Sequence, residues 1–317
     1  WLTSEEHPLT ARVAVNRIWY QIFGVGIVET LEDFGIQGEL PSHPELLDWL
    51  ATEYIQRGWS TKDFLRLIVM SATYQQDSRM RPELREQDPY NRLLARAPRF
   101  RLPAEGIRDQ ALAISGLLSD KMYGPSVKPP QPDGIWMVVY NNEEWETSTG
   151  EDRYRRGLYT YLRRTSPYPS MQTFDATPRD ICTSRRSSTN TPLQALVTLN
   201  DPVYIEAAQA LARQCAQEVE ALSATLSKAE REEALVACLE RVFQRALVRT
   251  PKPGEVEQLA ALYHDSLAYY AEHREDAVAM ATDPIGPAPE DRDMAELAAW
   301  TVVCNVILNL DELLMKL

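Results

Sequence analysis

Apolar side chains return every three or four residues through most of this chain, the period of a helix with one buried face. Ala11, Val15, Ile18 and Ile22 trace the first such face, and Gly24 and Gly26 stop it. Arg12, Asn16, Trp19 and Phe23 run beside it as a second, more polar stripe. Leu46, Leu47, Leu50 and Tyr54 predict another helix, opened by the capping box Ser42-His43-Pro44-Glu45 and closed at Gly58. A third starts at Ser60, with Asp63 at N3, a Trp59–Phe64 staple, and Leu65, Ile68 and Ala72 on its apolar face. These two helices should form an antiparallel hairpin. Tyr74, Gln75, Gln76, Ser78 and Arg79 trail from its end, as a cleft wall or as an ordinary polar helix end. Arg79 to Pro103 reads as an arginine- and proline-rich connector with a short helical piece at Asn91–Ala95. The helical period resumes at Ile107, Ala111, Ile114 and Leu118, with Glu105, Arg108 and Asp109 on the polar side.

From residue 124 the pattern changes. Pro125, Pro129, Pro130 and Pro132 stiffen a loop. Trp136–Tyr140 and Leu158–Leu162 are β-favouring, and Asn141–Gly150 between them reads as a turn or tip. Ser166–Ser188 has no helical period, and a stretch this long without periodicity is more often functional than accidental. Thr191-Pro192 with Gln194, and then Asp201-Pro202, give two successive cap-then-proline starts with a helix of about two turns between them. Helices follow to about Glu220, along Leu235, Leu239, Val242 and Ala246, and from Val256 onward. Asp283–Pro289 is a loop, and Met294–Leu314 a strongly buried last helix. The expected fold is mainly α. Two helical lobes, 1–123 and 201–317, flank an irregular middle segment, 124–200, that holds a small β hairpin or sheet, and the whole reads as one continuous folding unit.

Composition narrows the function. The 317 residues are 44% hydrophobic and 25% charged, with a formal charge of −13. Such acidity argues against sequence-independent nucleic-acid binding and against a polybasic membrane anchor. The longest apolar run, Leu297–Leu310, is too short to span a bilayer. The chain opens at Trp1-Leu2-Thr3-Ser4 without methionine, as a processed or trimmed product would. The four cysteines, Cys182, Cys215, Cys238 and Cys304, form no CxxC or CxxCH, so no haem is attached covalently here. A Cys215–Cys238 bridge is permitted; Cys238 and Cys304 read more simply as buried thiols.

No Ser-His-Asp pattern, phosphate loop, dinucleotide fingerprint or metal-ligand spacing is present. The candidate chemistry lies around the Thr191 helix start. A helix N-terminus carries roughly half a positive charge, and adding Arg185 and Arg186, with Arg179, Asn190, Thr191 and Gln194 close in sequence, makes an anion site. The alternative is that the arginines pair with carboxylates such as Asp175 and Asp180. Those two carboxylates are also the candidates for acid/base work on a sugar. Asn16 and Arg17 inside the first helix are a buried polar network or a site wall, and Asp33 is the loop carboxylate that stands out. Arg153, Arg155, Arg156, Arg163 and Arg164 form a basic island suited to an anionic glycan, or to ion pairs with Glu143, Glu144 and Glu146.

Several of these motifs carry a family resemblance. Phe174-Asp175-Ala176-Thr177-Pro178-Arg179-Asp180-Ile181-Cys182, then Arg185-Arg186, Thr189-Asn190-Thr191-Pro192-Leu193-Gln194-Ala195-Leu196 and Leu199-Asn200-Asp201-Pro202 stand in one order. Pro8–Trp19 with Glu32-Asp33-Phe34-Gly35, Pro41–Leu50, and Asn91–Arg96 with Ile107-Arg108-Asp109 agree with them. Together they resemble the C-terminal domain of unknown function of planctomycete-type, cytochrome-associated proteins. The resemblance implies an exported protein, periplasmic or extracellular, whose haem c lies in an upstream domain or a partner chain. Three functions follow as expectations. The first is an accessory substrate-binding or docking domain of a haem-linked redox protein, with an anionic saccharide or other polysaccharide as ligand. The second is a carbohydrate-active enzyme using Asp175, Asp180, Arg185 and Arg186. The third is a structural module of an envelope complex.

Overall fold

Gly24 ends helix α1 (Thr10–Phe23) because a left-handed residue is needed there: φ is +76°, and its N–H closes on the Tyr20 carbonyl at 2.8 Å. The computed structural model describes residues 1–136, 144–223 and 227–316, without the side chains of 220–223 and 228. The chain divides into two compact units, Trp1–Arg101 with Thr183–Arg185 and Met315–Leu317, and Leu102–Cys182 with Arg186–Leu314.

In the first unit α1 packs on α2 (Pro44–Gln56), around Val15, Trp19, Leu47, Leu50 and Phe64. The residue before α2 is His43, not Ser42; Ser42 is drawn away to the Ile27 carbonyl, which accepts both its N–H and its hydroxyl. Helix α3 (Thr61–Val69) is capped by Ser60, as expected, but Phe64 and Ile68 form its buried face. Leu65 is partly exposed, and Ala72 lies beyond the helix end. A short α4 (Pro82–Gln87) follows. The helix expected at Asn91–Ala95 is absent. Asp88, nearly fully buried, takes the Arg92 and Leu93 N–H groups at 2.7 and 2.8 Å, and Asn91 and Leu94 turn left-handed instead. Strand β1 (Phe100–Arg101) pairs antiparallel with β2 (Met315–Lys316).

The second unit is helical. It holds α5 (Ala104–Ile114), α6 (Pro169–Thr173), α7 (Pro192–Asn200), α8 (Pro202–Ser223), α9 (Lys228–Leu247), α10 (Pro253–Glu272), α11 (Arg274–Thr282), α12 (Met294–Leu308) and α13 (Asp311–Leu314). Helix α12 is buried on every side, which is why its sequence lacks a polar face. Ala298 and Ala299 let neighbouring helices approach, and Trp300, fully buried, fills the centre. The last helix stops at Leu308 rather than running to Leu314, with Asn309 accepting the Thr198 hydroxyl at the break. All four cysteines are unpaired thiols; Cys182 is exposed and the other three are buried, so the Cys215–Cys238 bridge is not formed. Among the described residues no helix is long and apolar enough to cross a membrane.

The mainly α expectation holds, with one small two-stranded sheet among the described residues. That sheet joins β1 to β2 and not the middle of the chain. Residues 137–140 of the first expected middle strand lie outside the described residues. The second, Leu158–Leu162, overlaps a 3-10 turn at Gly157–Tyr159 and makes a single parallel bridge, Val127 to Thr160.

Candidate functional site

The Thr191 start folds as its residues dictate. Pro192 opens α7, and Gln194 Oε1 accepts the Thr191 N–H at 3.3 Å. Gln194 is buried, and its Nε2 also donates to the Thr173 and Thr189 carbonyls at 3.0 and 3.2 Å. It therefore ties the end of α6 to the approach to α7. Asp175, left-handed at φ +58°, strengthens the same tie: its carboxylate accepts the Thr189 N–H at 2.8 Å and the Thr189 hydroxyl at 2.9 Å. Arg186 makes a two-pronged pair with Glu105 in the first turn of α5, at 2.6 and 2.9 Å. Burial pushes the Glu105 carboxyl up, but the Arg186 fork, a backbone N–H and the Arg179 charge together outweigh this and hold it below its ordinary value. The carboxylate that these bonds bring to Arg186 belongs to a glutamate far away in sequence.

The other candidates are dispersed. Arg179, Asp180, Asn190 and Thr191 are exposed in the second unit. Arg185 is exposed and falls in the first unit with Ser184, whose hydroxyl donates to Glu32 at 3.2 Å. Asn16 is wholly buried and clamps Val28, donating to its carbonyl and accepting its N–H, both at 2.9 Å. Arg17 is exposed on α1. Asp33 Oδ1 accepts the Gly35 N–H at 2.6 Å and so shapes its own turn.

The basic island is mostly consumed internally. Arg153 and the Tyr154 hydroxyl both reach the buried Glu206, at 2.8 Å each. Burial and that carboxylate together push the Tyr154 hydroxyl up to about 12. Arg155, 1% exposed, donates to the Pro125 and Tyr123 carbonyls and stacks on the Tyr159 ring. Arg108, expected on a polar face, is also 1% exposed and donates to the Arg155 and Arg153 carbonyls at 2.6 and 3.1 Å. Asp201 is buried nearby in charge terms: burial raises its carboxyl from 3.8 to about 6, and the Val203 N–H and the Arg108 charge only partly oppose this. Tyr168 and Tyr204 are shifted upward for the same reason, desolvation. Arg108, Asp201, Tyr168 and Tyr204 are buried, while Arg153 and Tyr154 are partly exposed.

One group in the same unit was not visible from periodicity. Trp136, Trp145 and Tyr161 gather with ring centres 5.0 to 6.3 Å apart. Lys128 Nζ lies 5.2 to 5.9 Å from all three centres and donates to the Glu144 carbonyl at 3.2 Å. The Arg163 guanidinium lies 5.4 Å from the Trp136 ring. Trp136 is buried, while Trp145 and Tyr161 are half-buried. The available signal was Trp145 itself, a large ring in an otherwise polar tip.

Residues 1–263 match one family model, described as PSD1, protein of unknown function (DUF1553). No curated protein and no solved structure matches the chain.

Proposed function

Since the chain belongs to the PSD1 (DUF1553) family, whose description assigns no reaction, we propose that it is an accessory substrate-binding or docking domain. In this reading it serves an exported, planctomycete-type redox protein, in the periplasm or outside the cell. The haem c is carried by an upstream domain or a partner chain, and the ligand is a polysaccharide with acidic groups. The observation that supports this reading is the aromatic cluster. Flat half-buried rings (Trp145, Tyr161) offer the apolar face of a sugar a stacking surface. Lys128 and Arg163 supply positive charge beside them. Binding fits the carboxylates better than catalysis does, because both oxygens of Asp175 already accept from Thr189.

The test is calorimetry of the 317-residue chain with oligogalacturonate and with a neutral oligosaccharide of equal length. The acidic oligomer should bind more tightly, and Trp145→Ala should weaken it at least tenfold in a variant whose circular dichroism still shows a folded helical chain. Absence of binding to any saccharide, or an unaffected W145A variant, would sink the reading.

A further inference from the structure

The first unit contains a cleft of about 500 Å³. It lies between the end of α1, the 24–27 turn that follows, and the 78–80 and 89–100 segments. The size suits a small organic ligand. Its walls are built firmly. The 24–27 turn is pinned by the Asn16 clamp on Val28. Gly24 lies so close to the Phe100 ring that a Cβ there would stand 2.8 Å from it. Phe100 is in turn fixed by the β1–β2 pairing, and Lys316 on β2 donates to the Ile22 carbonyl with its ammonium 5.4 Å from the Phe100 ring.

The charge of the lining is opposite to that of the protein. Arg79, Arg92, Arg96 and Arg99 line the cleft together with His43, and none of its described lining residues is acidic. The chain as a whole carries −13. Arg79 and Arg92 have carboxylate partners, Asp77 at 2.7 Å and Glu29 at 3.0 Å, neither of which is part of the lining. Arg96 is different. It is 9% exposed, and it donates to the Asp88 and Pro89 carbonyls at 3.1 and 2.8 Å. Those neutral acceptors orient the guanidinium, which has no ion pair within 4 Å among the described residues, and two of its five donors are used in these bonds. Apolar rings complete the lining: Trp19, stacked on Phe23, at the inner side, and Tyr90, 84% exposed, at the rim.

We infer that this cleft binds a ring-bearing organic anion, with Arg96 and Arg92 holding its carboxylate or phosphate group and Trp19 and Tyr90 contacting its ring. A planar fork matches such groups with two parallel hydrogen bonds. Positive charge without ring contacts would suit inorganic phosphate alone; ring contacts without positive charge would suit a neutral sugar or phenol. The cleft has both, so charge and ring are required together. This site is independent of the aromatic cluster of the second unit and does not rest on the proposed saccharide role.

The experiment titrates the full 317-residue chain with four probes, phenyl phosphate, glucuronate, phenol and inorganic phosphate, following tryptophan fluorescence and calorimetric heat. At least one of the two ring-bearing anions should bind tenfold or more tightly than both phenol and inorganic phosphate. Arg92→Gln and Tyr90→Ala, both at partly or largely exposed positions, should each weaken that binding at least fivefold without changing the circular-dichroism melt. Arg96→Lys should weaken it further. W145A should leave it unchanged, which separates failure here from failure of the saccharide reading. Equal affinity for phenol, equal affinity for inorganic phosphate, or indifference to both R92Q and Y90A would overturn the inference.

Discussion

Arg108 in the second unit and Arg96 in the first are bonded alike: each is buried, and each donates to two backbone carbonyls. They differ in what faces the rest of the guanidinium. Around Arg108 lie the Asp109 carboxylate, 3.9 Å away and 27% exposed, and the charge of the buried Asp201. Around Arg96 lies a cleft whose described lining has no carboxylate. The same pair of hydrogen bonds is therefore purely structural in one unit and leaves a charge for a ligand in the other. An arginine-rich stretch is not a site until its partners have been accounted for.

The comparison breaks most visibly in stability. Arg108→Ala should cost about 3–5 kcal/mol, because it strands two buried carbonyls and unbalances the nearby carboxylates. Arg96→Ala should cost about 1–2 kcal/mol, since water in the cleft can replace the lost donors. Urea denaturation of both variants measures this, and equal losses would remove the distinction.

A smaller effect separates the two surroundings by pH. Asp201 has its carboxyl raised from 3.8 to about 6 in the fold, so the protonated form is favoured there. Its contribution to stability is full below about pH 4 and is lost as pH rises through about 6. Asp201→Asn keeps the acceptor for the Val203 N–H and removes that loss, a gain of up to about 3 kcal/mol at pH 7 from the two-unit shift. A variant whose stability tracks wild type from pH 4 to 7 would mean that Asp201 stays ionised throughout.

The smallest effect belongs to the half-exposed pair. Glu105 and Arg186 have side chains 21% and 35% exposed, and a double-mutant cycle should give a coupling of about 1 kcal/mol at pH 7. Because Glu105 is held below its ordinary 4.5, the coupling should fade as pH falls below that value. No measurable coupling would mean that the Glu105 pair does not contribute to stability.

Much of the fold could be read from the residues. Gly24, Ser60, Thr191-Pro192 and Asp201-Pro202 mark helix ends correctly because capping is local: the signal and the bond it makes lie within one turn. The misreadings come from partners outside the turn. Ser42 looks like a cap but bonds to Ile27, fifteen residues away; Asn91–Ala95 looks helical, but a buried Asp88 takes its N–H groups. The candidate site was legible to the same degree. Gln194 announced its bond to the Thr191 N–H, while Glu105 as the partner of Arg186 could not be found by spacing alone. Of Tyr74, Gln75, Gln76, Ser78 and Arg79, which read as a cleft wall or as a polar helix end, Ser78 and Arg79 line the cleft and the other three do not, while the aromatic cluster and Arg96 depend on long-range packing that no period records.

The pairing of β1 with β2 sets an order of events during synthesis. Phe100 emerges early from the ribosome, but its strand partner Lys316 comes more than two hundred residues later. Until then the first unit has an unpaired edge and lacks the ammonium that bonds to Ile22. Folding of this kind is slow to close, because the loop between the strands has to be gathered first. The helices around Val15 and Phe64 can form while the chain is still being made, whereas the Phe100 wall of the cleft is fastened only after residue 316 has been delivered. A stalled or clipped nascent chain would therefore present a first unit that is largely helical but has one wall of its cleft left open.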